Sequence, residues 1–163
     1  MILIGIFNDT VWYRRHSESL EFAMAFRQAE VLNELQLSRA TFCNWRRAIH
    51  AFAGRTGAGA IYSSGDVLAL KAIKFLVANR EMRISKVGAQ CGPLIDLCRY
   101  ENWGKLRNAG VVYDQRTGAV EAVSEEAQRK VRGSYTEVTI PVGELLSELE
   151  ANMNRDLHDR VCS

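Results

Sequence analysis

Residues 27–47 read R-Q-A-E-V-L-N-E-L-Q-L-S-R-A-T-F-C-N-W-R-R. Val31, Leu32 and Leu35 recur at helical spacing, and Gln28, Glu30, Asn33 and Glu34 face away from them. Leu37 and Ser38 break that pattern. A serine hydroxyl can accept from the N–H groups of a following turn, so Ser38 reads as the N-cap of a second helix from Arg39 to about Ile49. Phe42, Trp45 and Ile49 give that helix an apolar stripe. Helix, short turn with Leu37 turned inward, and second helix fit a helix-turn-helix, in which the first helix braces the second. The outer face of the second helix then shows Arg39, Ala40, Cys43, Asn44, Arg46 and Arg47. Arginine can bridge the acceptor edge of guanine, and asparagine can do the same on adenine. Arg46 and Arg47 are equally suited to phosphate.

After that pair comes A-G-R-T-G-A-G-A at Ala53–Ala60, a glycine-rich turn or loop. It lacks the Lys-Ser/Thr ending of a phosphate-binding loop. Tyr62 is next, then Ser63 or Ser64 as a cap, then a helix over about Gly65–Asn79 that buries Val67, Leu70, Ile73, Leu76 and Val77. Ile84 is a lone strand-like residue before a helical turn at Ser85–Gln90. Pro93 suits the first turn of a helix over about Leu94–Asn108.

Leu37-Ser38-Arg39-Ala40-Thr41-Phe42 followed by Trp45-Arg46-Arg47 resembles the helix-turn-helix of MerR-like regulators. The segments after it are similar in their order too: a glycine-containing wing at Gly54–Ala60, Tyr62, Asp66-Val67 opening a helix, and Ile84-Ser85-Lys86-Val87. The resemblance covers about residues 27–90. It implies that the second helix enters the major groove and that the wing touches the flanking backbone or minor groove. On that reading Ser38, Arg39, Thr41, Asn44, Arg46 and Arg47 contact DNA from the helix, and Arg55 and Thr56 from the wing. Three positions differ from the family pattern. Leu32 stands for a small residue, Cys43 for a basic one, and Gln36 for the turn glycine. A left-handed backbone at Gln36 carries a penalty of about 1 kcal/mol.

Beyond residue 109 the period changes. Gly110–Tyr113 and Ala119–Val123 flank D-Q-R-T-G and read as a hairpin. Ser124–Arg132 is polar and helix-compatible, and Tyr135–Ile140 alternates like a strand that Pro141 ends. Leu145, Leu146 and Leu149 mark a short final helix, with a charged tail expected to fray from Asn152. No heptad repeat occurs after residue 90. The expected fold class is mainly α: a winged helix-turn-helix module followed by a small α+β C-terminal region. The expected division is 1–24 as an ill-defined extension (with Ile2–Phe7 strand-like), 25–109 as the DNA-binding domain, and 110–163 as a dimerisation or partner-binding region.

The chain has 163 residues, 47% of them hydrophobic and 25% charged, which suits a folded protein rather than a disordered one. Net charge is only +2, but nine Lys or Arg fall between Arg39 and Lys86 against two acids, Asp66 and Glu81. Clustered basic charge is a footprint for phosphate or a plain solvated face. The four cysteines suggest no disulfide framework, and no apolar run is long enough to span a bilayer. Cytoplasmic residence is therefore expected. Cys91 and Cys98, with Cys162 or His158 as a third ligand, make at most a weak metal motif, because Leu94, Ile95 and Leu97 between them look like core. Trp103 and Tyr100 read as core before they read as a ligand cage. His16, His50 and His158 have no catalytic companions, and no pair of carboxylates invites acid–base work.

The expectation is therefore a non-enzymatic, cofactor-free and metal-free transcription regulator. It acts as a repressor or autoregulator, with double-stranded DNA and a second copy of the chain as partners. The alternatives are an excisionase-like architectural factor and a protein-interaction adaptor.

Overall fold

The computed structural model describes residues 6–7, 10–11, 25–57, 59–124 and 136–161. Ile6–Phe7 (β1) pairs antiparallel with Thr10–Val11 (β2). The rest of the N-terminal extension and residues 125–135, which include most of the helix-compatible Ser124–Arg132 stretch, lie outside the described residues.

Ala25–Arg27 (β3) leads straight into α1 (Gln28–Leu35). The Glu30 carboxylate accepts from the Arg27 N–H at 2.7 Å and quiets one of the unpaired donors of the first turn. α1 ends at Gln36, whose φ of 49° lies in the left-handed region. The Gln36 N–H donates to Asn33 O and the Leu37 N–H to Leu32 O, both at 3.1 Å, which is a Schellman closure built without glycine. Ser38 then starts α2 (Arg39–Ala48): its Oγ accepts from the Thr41 N–H at 3.1 Å. A 3-10 turn at His50–Phe52 comes next, then the loop to β4 (Ile61–Ser63).

β4 pairs antiparallel with β3, bringing Phe26 opposite Tyr62. The glycine-rich loop thus joins a sheet whose other strand precedes the helix pair. Among the described residues the loop has no strand pair of its own.

α3 (Ser64–Asn79) is the central post. Ser63 caps it reciprocally: the Asp66 N–H donates to Ser63 Oγ at 3.1 Å, and the Ser63 N–H to Asp66 Oδ2 at 2.9 Å. Val67, Leu68, Ala69, Leu70, Ala72 and Ile73 are all essentially inaccessible, so α3 is apolar nearly all round and must be wrapped by neighbours. α4 (Ile84–Gln90), α5 (Gly92–Tyr100) and α6 (Trp103–Arg107) do part of the wrapping. α5 comes so near that a Cβ on Gly65 would stand 2.8 Å from Arg99 Cα.

Three expectations need correction here. Ile84 opens a helix rather than standing as a strand residue. The single helix over Leu94–Asn108 is two helices, because Glu101 is extended and Asn102 caps anew, accepting from the Lys105 N–H at 3.3 Å. The short final helix is a long one, α7 (Val142–Val161). Its stripe of Val142, Leu146, Leu149 and Met153 stays buried past the point where fraying was expected.

The hairpin is as expected: β5 (Gly110–Asp114) and β6 (Val120–Val123) pair antiparallel, and the Asp114 carboxylate accepts from the Arg116 and Thr117 N–H groups at the turn. β7 (Glu137–Ile140) pairs with the other edge of β5, giving the order β6-β5-β7. The molecule is mainly helical with small antiparallel sheets. The change of period near 109 does not divide the core. Val111, Tyr113, Val138, Ile140, Leu146 and Leu149 join the same apolar cluster as Phe26, Phe42, Leu76 and Leu94.

Candidate nucleic-acid interface

α2 buries Phe42, Trp45 and Ile49 against the core. At 100° per residue the opposite side of the helix is Ala40, Asn44 and Arg47, flanked by Arg39, Cys43 and Thr41. Ser38, Arg39, Ala40, Thr41, Asn44 and Arg47 are all exposed, whereas Cys43 and Arg46 are half-buried. Thr41 shares a 2.8 Å hydroxyl contact with Ser38. Arg46 lies nearer the core side, and its Nη1 donates to Gln28 Oε1 on α1 at 3.4 Å. Among the described residues Arg39, Asn44 and Arg47 have no partner within the chain.

The two loop residues part company. Thr56 is exposed. Arg55 turns inward: its Nη1 meets Asp66 Oδ2 at 2.5 Å and donates to Ile61 O at 3.1 Å. Its guanidinium also lies 5.4 Å from the ring centres of both Phe52 and Tyr62. The other oxygen of Asp66 accepts from Arg99 Nε at 2.6 Å. Burial works to raise the Asp66 pKa, but the Arg55 hydrogen bond, the Ser63 N–H and Arg99 outweigh it and hold the carboxyl below its ordinary 3.8. Arg55 thus ties the loop to the start of α3 and the end of α5.

The basic segment is also redistributed. Lys71 is buried in an ion pair with Glu34, and Lys74 donates to Leu35 O at the end of α1 at 2.8 Å. With Arg55, three of the nine basic residues act inside the fold. Arg80, Arg83 and Lys86 face solvent around the α3–α4 turn. α4 packs directly on the end of α2, where a Cβ on Gly88 would stand 2.4 Å from Ala48 O. Arg83 and Lys86 lie on the exposed side of α4, away from the face that Gly88 turns to α2. Sequence reading counted their charge but gave them no role. The signal was their place in a turn, where lysine and arginine stems have no core to reach.

Of the other candidates, Cys91, Cys98 and Trp103 pack inside, whereas Tyr100, expected in the core, is exposed. Cys91 and Cys98 are buried, which pushes their thiols up to about 11 and about 12. Among the described residues no group of three His, Cys, Asp or Glu is placed to hold a metal. Cys162 lies outside the described residues. Trp103 packs against the core and donates to Cys98 O at 3.4 Å, while Tyr100 is 79% exposed. Among the described residues no helix is long and apolar enough to cross a membrane.

Comparison with family models, curated proteins and solved structures finds no match for this chain.

Proposed function

We propose that the chain is a sequence-specific reader of duplex DNA, a regulator that works by occupying its site, with α2 laid in the major groove. The observation that carries this reading is the outward side of α2. Arg39, Asn44 and Arg47 project from a helix that packs on α4 and have no internal partner among the described residues. In this reading Asn44 and Arg47 read base edges, and Arg39, Thr41 and the Ser38 end position the helix. Arg46 supports the helix through Gln28. Arg80, Arg83 and Lys86 add phosphate contacts from the α3–α4 turn. The wing role of the MerR-like reading falls to Thr56 and the loop tip rather than to Arg55. The protein works as a homodimer, because one helix covers only a few base pairs. It resides with DNA in the cytoplasm and needs neither cofactor nor metal.

The test is selection of bound duplexes from a randomised pool at physiological salt. An enriched inverted repeat with half-sites about one helical turn apart is expected. On that site Asn44→Ala costs about 1–3 kcal/mol and relaxes base preference. Enriched direct repeats would favour an architectural, excisionase-like role. No enrichment, with no binding at low salt, removes the DNA reading and leaves α2 as a protein-contact surface.

A further inference from the structure

The outward side of α2 is not uniform. At 100° per residue, Ala40, Asn44 and Arg47 fall within an arc of about 60°, directly opposite Phe42, Trp45 and Ile49. All three are exposed. They present three different chemistries in a row: a bare methyl, an amide that both donates and accepts, and a fork of donors. No acid stands between Arg39 and Ala48 to repel a polyanion.

Each chemistry selects a different edge in the major groove. An amide matches adenine, which offers the N7 acceptor beside the N6 donor, and a guanidinium matches guanine or phosphate. Thymine alone of the four bases carries an apolar group there, its 5-methyl. A cytosine in its place would turn the N4 donor toward a side chain that cannot accept. Alanine is also short enough for the helix backbone to approach that methyl. Ala40 and Asn44 are four residues apart, which is about 6 Å along the axis, close to two base-pair steps of about 3.4 Å.

We propose, on the DNA reading of α2, that the half-site holds an adenine read by Asn44 and, within two base pairs of it, a thymine whose methyl packs on Ala40. Arg47 lies one turn beyond Asn44 and meets a guanine or phosphate on the far side of that adenine.

The test uses the full chain and the duplex enriched by selection, with one base altered at a time and affinity read by fluorescence anisotropy at fixed salt. 7-Deazaadenine removes N7 and keeps base pairing. At one adenine it should weaken the natural chain about tenfold and leave the affinity of Asn44→Ala unchanged. Deoxyuridine for thymine removes only the methyl. Within two base pairs of that adenine it should cost about fourfold, and Ala40→Ser should bind the methylated and bare duplexes alike. Both positions are exposed, so the variants keep the fold. Equal losses for natural and variant chains, or a selected site on which neither analogue has an effect, overturn the base assignment and keep the DNA reading. Coupling at only one of the two residues overturns the assignment of the other. No enriched duplex, with no binding at low salt, overturns both the assignment and the DNA reading.

Discussion

Asp66 is the residue on which most of the local order converges. It closes the cap of α3, pairs with Arg55 from the loop and pairs with Arg99 from α5. Removing its charge strands two guanidiniums against Phe52 and Tyr62, so Asp66→Asn should destabilise the fold by about 3 kcal/mol. Its pH signature has a definite sign. A carboxyl held below its ordinary 3.8 adds stability above that value and loses it as pH falls through the lower folded value. Urea titrations between pH 2 and 6 should show a steep acid limb for the natural chain and a flatter one for Asp66→Asn. Equal slopes would mean that the cluster does not govern acid stability. The cap at Ser63 was legible in the sequence, but the two arginine partners of Asp66 were not. Arg55 and Asp66 are eleven residues apart with a glycine-rich loop between them, and nothing local tells a wing arginine from one folded back. Lys71 misled in the same way, because its partner Glu34 lies on a different helix.

At the scale of elements, the α1–turn–α2 unit was legible almost to the residue, since each signal in it is local. The Ser38 cap acts over three residues, the stripe of Phe42, Trp45 and Ile49 over two turns, and the left-handed Gln36 is set by the length of the turn. That last residue gives a clean test. Gln36→Gly removes the left-handed penalty and gives back part of it as unfolded-chain entropy, for a net gain of up to about 0.5 kcal/mol. Thermal melts of the two chains check it, and a lower melting temperature for the glycine variant would contradict the closure described. The Asp114–Gly118 hairpin was legible for the same reason. The break at Glu101–Asn102 was not, although Asn102 is a local cap, because apolar residues on both sides masked it. The true length of α7 was hidden by its charged tail, held in place across 118 residues of chain by Glu34 and Asn152.

For the molecule as a whole, the shared core makes a thermodynamic claim. Leu146 on α7 and Phe42 on α2 belong to one apolar cluster around α3. Leu146→Ala should therefore cost about 2–5 kcal/mol and lower the melting of every element together. Fluorescence at Trp45 and backbone circular dichroism should fall in one coincident transition. A sheet and α7 that melt first, leaving Trp45 in a native environment, would show instead that residues 110–163 are a separable unit.

The contact at Gly88 has a mechanical meaning. Where α4 meets the end of α2, bare α-carbon lies against the Ala48 carbonyl, with no layer of side chains between the two helices. Side-chain layers let packed helices slide by repacking rotamers, and backbone against backbone permits little of this. The two helices behave as a single casting, and the charges they carry, Arg47 on one and Lys86 on the other, keep a fixed pitch. On the DNA reading proposed above, a duplex seated on such a template would have to supply the compliance itself, and the stiffness of its base steps would become part of what is read.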